Sequence, residues 1–380
     1  MRSLFVKRGD KLIAEIREIG NGEIETEFLT TLTPHFTQGC VVPGLSHFFT
    51  NLLPEGEIER SLISSQFGFP YADISYLSGL QQLEYFRENA KGLSNNIHLA
   101  DSEPEILSLD ENFTLQTIKH CYGKASLMRV AGVQAKLCVQ YLDGDHYILK
   151  HAAPEVLKAE YYGMELSERA GIDTAAHSLV TLSDGELVYL CQRFDLGEPR
   201  LIIDGCQLLN IAPCHKYLDQ CRGYIEHPSY ESFGEELLNY AKDPGPLIEE
   251  YFRRIVFAYL IGNDDLHLKN FSFYVENGLV TGFTPQYDSV MLQAINPTGL
   301  KFMALDLMNA EERGEFSSSY DLYGFYTRTD FIGLGNSLGV DRSVNVIDEM
   351  LELISLLMTE LALQGRLLTL FERNLKALRP

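Results

Sequence analysis

An apolar stretch with helical character over 247–262 ends at Gly262 and gives way at once to a polar cluster: Asn263, Asp264, Asp265, His267, Lys269 and Asn270. Behind that cluster come the strand-like FSFYV, the pair Asn277-Gly278, and a second strand-like run, LVTGF. Asn-Gly between two apolar runs predicts a tight hairpin, because both residues tolerate the positive φ angles of such a turn. Asp288 follows just beyond it. A helix end, a polar loop and a hairpin in this order form a compact unit that brings distant acidic and amide side chains together.

That grammar suits phosphoryl transfer. A carboxylate must accept the proton of an attacking hydroxyl, an Asn five residues later must reach a metal, and a second Asp must hold Mg²⁺ against phosphates. Asp265 and Asn270 have the five-residue spacing, and the hairpin can fold Asp288 back beside Asn270. Mg²⁺ takes hard oxygen ligands, which a carboxylate, an amide oxygen, phosphate oxygens and water supply. Asp265 is therefore the candidate catalytic base, with Asp264 its adjacent rival, and Asn270 and Asp288 are the candidate metal ligands.

The rest of the chain sets the frame. Residues 3–30 read as short strands, the segment 44–67 as two helices separated at Pro54, and 93–112 as a polar, acidic linker. KLCVQY (136–141), Asp143-Gly144 and HYILK (146–150) read as a hairpin, followed by a helix over about 155–170 that ends at Gly171. HSLVTL and ELVYLCQRF form a second hairpin around Ser183-Asp184-Gly185, and residues beyond 205 are mostly helical, with 342–378 a long helical region. We expect an α+β chain: a first module at 1–100, a sheet-rich lobe at 113–200 and a helical lobe at 201–380. Such a two-lobed, protein-kinase-like frame leaves a cleft between its lobes.

Lys150 ends a hairpin strand just before a helix, the place where a kinase keeps its phosphate-binding Lys, paired with a Glu of the next helix. Glu160, Glu165 and Glu168 are the candidate partners. No GxGxxG or GxxxxGK[ST] occurs, so the candidate phosphate loop is RVAGVQAK at 129–136, where Gly132 allows backbone N–H groups to approach phosphate. A formal net charge of -22 argues against direct nucleic-acid or anionic-membrane binding. Seven scattered cysteines without a CxxC pair, no apolar leader at MRSLFVKRGDKL and no apolar run of membrane length point to reduced thiols and a cytoplasmic protein.

Together these motifs resemble the HipA-type serine/threonine kinases, the toxin components of bacterial toxin–antitoxin pairs. AGVQAK is similar to the family's phosphate loop, YILK to its ATP-lysine strand, QRFD (192–195) to its hinge, LIGNDDLHLKNFS (260–272) to its catalytic loop and TPQYDSV (284–290) to its Mg²⁺-Asp segment; HFFTNLLPEGEIERSL (47–62) resembles its N-terminal domain. The resemblance implies ATP and Mg²⁺ as cofactors and Asp265 as base. It implies ATP contacts from Ala131, Gly132, Val133, Gln134, Ala135, Lys136, Lys150, Gln192, Arg193, Phe194, His267, Lys269, Asn270, Tyr287 and Asp288. Family members phosphorylate proteins, some of them aminoacyl-tRNA synthetases, and are neutralised by a small DNA-binding, HipB-like antitoxin. The chain departs from the family at Arg129-Val130-Ala131-Gly132, which lacks the hydroxyl that is the usual target of a self-phosphorylating off-switch, and at 201–207, where only Asp204 remains of an acidic segment.

Two other readings fit the same residues. Asp265-Leu266-His267-Leu268-Lys269-Asn270 also resembles the loop of aminoglycoside and choline kinase-like enzymes, which would make the acceptor a small molecule. A catalytically inactive scaffold that binds an antitoxin is the third.

Overall fold

The structure, a computed structural model, describes residues 2–90, 93, 96–99, 106–109, 113–121, 136–217, 229–295, 302–360 and 366–379. The phosphate-loop positions Ala131, Gly132, Val133, Gln134 and Ala135 lie outside the described residues.

The first strands are β1 (Ser3–Arg8), β2 (Lys11–Gly20), β3 (Glu23–Phe28) and β4 (Val41–Pro43). Alternation along β1 and β3 puts Leu4, Val6, Ile24 and Phe28 on the buried face. Between β2 and β3, Asn21 and Gly22 take φ of 54° and 78°, the backbone a two-residue hairpin turn demands. Helices α1 (His47–Thr50), α2 (Gly56–Phe67) and α3 (Gly79–Asn89) follow, with Pro54 between the first two as expected. Strand β5 (Ile97–Leu99) closes the sheet in the order β4-β3-β2-β1-β5.

The segment read as a linker is therefore not free chain where it is described. One part, β5, pairs with β1, and another, β6 (Leu107–Ser108), runs parallel to a strand of the second sheet. The latter contains α4 (Leu115–Cys121), β7 (Lys136–Gln140), β8 (His146–Lys150), α5 (Pro154–Arg169), β9 (His177–Thr181) and β10 (Leu187–Gln192), with strand order β6-β7-β8-β10-β9. The β7–β8 register sets Lys136 directly opposite Lys150.

The remainder comprises β11 (Leu201–Asp204), α6 (Gly205–Leu208), α7 (Tyr230–Tyr240), α8 (Pro244–Ile261), β12 (Ser272–Glu276), β13 (Leu279–Phe283), α9 (Leu292–Ile295), α10 (Ser318–Tyr323), α11 (Arg328–Ser337), α12 (Ser343–Glu360) and α13 (Arg366–Leu378). The β12–β13 hairpin turns at Asn277-Gly278, as its sequence dictates. Strand β11, which the sequence reading passed over, adds to β12 and makes a three-stranded sheet. Helix α8 ends where Gly262 adopts φ 70°, a left-handed cap that favours glycine.

The hydrophobic core groups the elements differently from their order in the chain. Side chains of the first sheet and of the helical half form one continuous buried cluster, from Leu4 to Leu378. The second sheet has its own two small cores, one on each face, and α5 covers one of them. The first module thus buttresses the helical half; the second sheet faces both across a cleft, and α5 joins the two, covering one face of that sheet while Ala159 and Leu166 enter the large cluster.

Candidate active site

A cavity of about 500 Å³ opens at that cleft, lined by Lys136, Ile148, Lys150, Val156 and Glu160 from one side and Asp265, His267, Asn270, Tyr287 and Asp288 from the other. Asn51 and Leu52 of the first module also reach it. Five cationic and five carboxylate side chains line it, so its charge is locally balanced although the whole chain carries -22. The size lies in the range of ligand pockets.

Lys150 Nζ donates to Glu160 Oε1 at 2.5 Å and to Asp288 Oδ1, and Lys136 Nζ lies 3.6 Å from Asp288 Oδ2. Of the three candidate partners for Lys150, only Glu160 meets it; Glu165 and Glu168 face His177 on β9 instead. Burial works against every charge in this group. It holds Glu160 above the usual carboxylate range despite Lys150. It would lower Lys150, but the Asp288 and Glu160 carboxylates raise it instead. It also opposes ionisation of Asp288, yet Lys136 and Lys150 hold that carboxyl well below the usual range. Asp288 has φ 55°, a left-handed backbone that Asp tolerates better than most residues.

The loop after α8 is built around its own polar groups. Asn270 Nδ2 donates to the Asp265 carbonyl at 2.7 Å and ties the two ends of the loop together. Tyr287 Oη donates to the Lys269 carbonyl at 2.8 Å, so Ser272 Oγ must be the donor in its 2.5 Å bond to the same hydroxyl. Tyr230 Oη holds the Leu266 carbonyl at 2.8 Å. Asp265 lines the cavity and Asp264 does not. Burial raises both carboxyls, Asp264 to about 6. Tyr217 Oη donates to Asp265 Oδ1.

Lys269 departs from expectation. Its Nζ donates to Asp204 Oδ2 at 2.6 Å, to the Asn51 carbonyl at 2.8 Å and to Asn51 Oδ1 at 3.1 Å, and lies 3.4 Å from Glu55 Oε1. An ammonium has three donors, and these oxygens engage all of them. Lys269 therefore anchors the loop to the first module and offers no free donor to a phosphate. The hinge differs too: the Gln192 and Arg193 amides already donate within the lobe, to the carbonyls of Ala176 at 2.8 Å and His146 at 2.7 Å. Their side chains reach Asp145 and Asp195. Phe194, by contrast, presents its ring to Tyr287 at 5.9 Å, beside Ile148, Val156 and Ile202, and forms an apolar end to the cavity.

Asn51, Glu55, Lys216 and Tyr217 were not singled out in the sequence. Asn51 and Glu55 stand in the helical stretch of the first module, and nothing local marks them as neighbours of a loop more than two hundred residues away.

His267 is buried, with its ring against Tyr217 at 4.9 Å and Nδ1 without a partner. Burial, and then the nearby Lys216, lower its pKa to about 3. An unfolded chain takes up this proton near pH 6.5 and the folded one does not. Stability is thus expected to fall as pH drops from about 6.5 towards 3. Urea midpoints at pH 7 and pH 5 test this: that of His267→Gln should fall less on acidification than that of the parent.

The family described as HipA-like C-terminal domain matches residues 128–355. A protein of Haemophilus influenzae named as a candidate kinase is 28% identical over 284 residues, 68% of this chain and 79% of that protein. The serine/threonine-protein kinase toxin HipA of Shewanella oneidensis is 27% identical over 65% of this chain and 63% of its own length. Among solved structures, a Shewanella oneidensis complex of HipA, HipB and operator DNA superposes with a TM-score of 0.69 at 19% identity, covering 99% of this chain and 92% of that one. The fold is thus the two-lobed α+β kinase-like fold that the element order led us to expect. Among the described residues no helix is long and apolar enough to cross a membrane.

Proposed function

Since the chain belongs to the HipA-like family, and relatives it matches are named as kinases, we propose that it transfers the γ-phosphoryl group of ATP to a serine or threonine hydroxyl of a protein, with Asp265 as general base. The observation that carries this reading is the convergence of Lys150 and Glu160 from one side of a single cavity with Asp265, Asn270 and Asp288 from the other, Lys150 bonding Asp288 across it.

Each residue has a definable task. Asp265 accepts the proton of the attacking hydroxyl, and its raised pKa makes it a better base than an exposed aspartate. Lys150, held by Glu160, meets the phosphates, and Lys136 adds a second cation on the same side. Ile148, Val156, Phe194 and Ile202 give the purine an apolar seat. The residues present fit Mg²⁺: Asp288 is ionised, and because Asn270 donates through Nδ2 its amide oxygen is left as a second hard ligand. When bound, Mg²⁺ supplies neutralisation of charge on the phosphate oxygens. Lys269 takes no part in binding ATP in this proposal; it fixes the loop. Residues 131–135 are proposed as the phosphate loop on sequence grounds alone. A small DNA-binding protein of HipB type is the proposed partner, by likeness to the matched complex, which holds HipB and operator DNA.

The test is incubation with Mg·[γ-³²P]ATP and cell lysate. Label on serine or threonine of a protein band is expected; label confined to small molecules would favour the aminoglycoside-kinase-like alternative and overturn the proposal.

Helix α5 must approach the Asp288 segment closely for Glu160 to reach Lys150. Gly163 allows this: a Cβ there would lie 2.1 Å from the Ser289 carbonyl oxygen. Gly163→Ala is expected to destabilise the fold by about 1–3 kcal/mol and to weaken nucleotide binding by drawing Glu160 off Lys150. Urea denaturation and titration with a fluorescent ATP analogue measure the two effects.

A further inference from the structure

Tyr217 has no task in the mechanism above, yet it holds the most telling position in the cavity. Its hydroxyl donates to Asp265 Oδ1, the contact that a phosphoryl acceptor makes with its base before transfer. The ring is fixed from several sides. It meets His267 edge-on at 4.9 Å and 82°, and Lys216 Nζ lies 5.6 Å from its centroid. Lys216 is itself held by Glu55 Oε2 at 3.2 Å, and its carbonyl accepts from the Leu268 amide at 3.3 Å. With the tyrosine seated, about 500 Å³ stays open, and Lys136, Lys150 and Asp288 remain on its lining. The seat of the acceptor is filled while the region assigned to the nucleotide is not.

We propose that Tyr217 is the chain's own phosphoryl acceptor, modified in cis by the site it occupies. The inference rests on the kinase reading and on Asp265 as base. The phenolic proton passes to the Asp265 carboxylate, the phenolic oxygen forms a bond to the γ-phosphorus of ATP, the bond from that phosphorus to the β,γ-bridging oxygen breaks, and ADP leaves. Burial and the Asp265 carboxylate raise the Tyr217 pKa, so the hydroxyl keeps its proton until transfer. Until it departs, Tyr217 also competes with any other acceptor for the same carboxylate.

The experiment follows the purified full chain in Mg·ATP by peptide mass spectrometry and by ADP release, with dephosphorylated casein as added acceptor. We expect one phosphate on Tyr217, appearing at a rate per molecule that does not change over a tenfold dilution of the protein. Tyr217→Phe, which keeps the ring against His267, should lose that phosphate and label casein several-fold faster. Thermal unfolding of the variant reports whether it folds. If the parent releases ADP or labels casein while Tyr217 stays unmodified, or if its modification slows on dilution, cis-modification is wrong and the kinase reading stands. If the parent releases no ADP at all, both are wrong.

Discussion

Asp265→Asn is expected to lower phosphoryl transfer by about 10²–10⁴-fold, the usual contribution of a general base, while leaving ATP affinity close to that of the parent. The two effects separate because the residues assigned to the nucleotide are others: Lys150, Lys136 and Asp288 form an ion-pair group of their own that does not include Asp265. Asparagine preserves the shape of the side chain and can still accept from Tyr217, and the loop's main tie runs through the Asp265 carbonyl, which the substitution leaves in place. The change therefore removes a proton acceptor and little else. In the parent, burial raises the Asp265 carboxyl, so transfer should decline on acidification at a higher pH than an ordinary aspartate would give. Single-turnover transfer and equilibrium titration with a fluorescent ATP analogue measure the two quantities; equal loss in both would show that Asp265 supports binding and not proton transfer.

Glu55→Ala should cost about 3–5 kcal/mol of stability, the range for removing one partner from a buried ion pair. Glu55 comes from the first module and reaches two lysines of the helical half, Lys216 at 3.2 Å and Lys269 at 3.4 Å, with all three side chains less than a tenth exposed. Lys269 retains Asp204 and Asn51, but Lys216 would be left as a buried cation whose charge-pair partner has gone. The loss would also loosen the position of Tyr217, which follows Lys216 in the chain. Glu55→Gln, which keeps two polar atoms at the site, should cost less. Urea denaturation of both variants gives the order; equal stability of Glu55→Ala and the parent would mean that this contact contributes nothing to joining the first module to the loop.

What could be read from the sequence was local. The helix end at Gly262, the turn at Asn277-Gly278 and the five-residue interval from Asp265 to Asn270 are each set by neighbouring residues, and the structure brings Asp265 and Asn270 to one cavity with Asp288. Lys150 was legible for the same reason, since its strand, turn and following helix are all marked by nearby residues. Strands β4, β5, β6 and β11 were missed because each spans four residues or fewer and owes its pairing to a partner remote in the chain. Glu55 and Lys216 lie 161 positions apart, and neither has a neighbour that signals the other. Lys269 is placed near phosphate by the resemblance alone, whereas in the fold its surroundings supply four oxygens of their own. Nearness in sequence could place the lysine but could not show what had already claimed it.

The most direct test is a crystal structure of the chain with Mg²⁺ and a non-hydrolysable ATP analogue. We expect the triphosphate in the cavity between Lys150 and Asp265, the metal bound by the Asp288 carboxylate and the Asn270 amide oxygen, and the γ-phosphorus facing Asp265. A triphosphate bound elsewhere, or a metal held without Asp288 and Asn270, would contradict the assignment of this site.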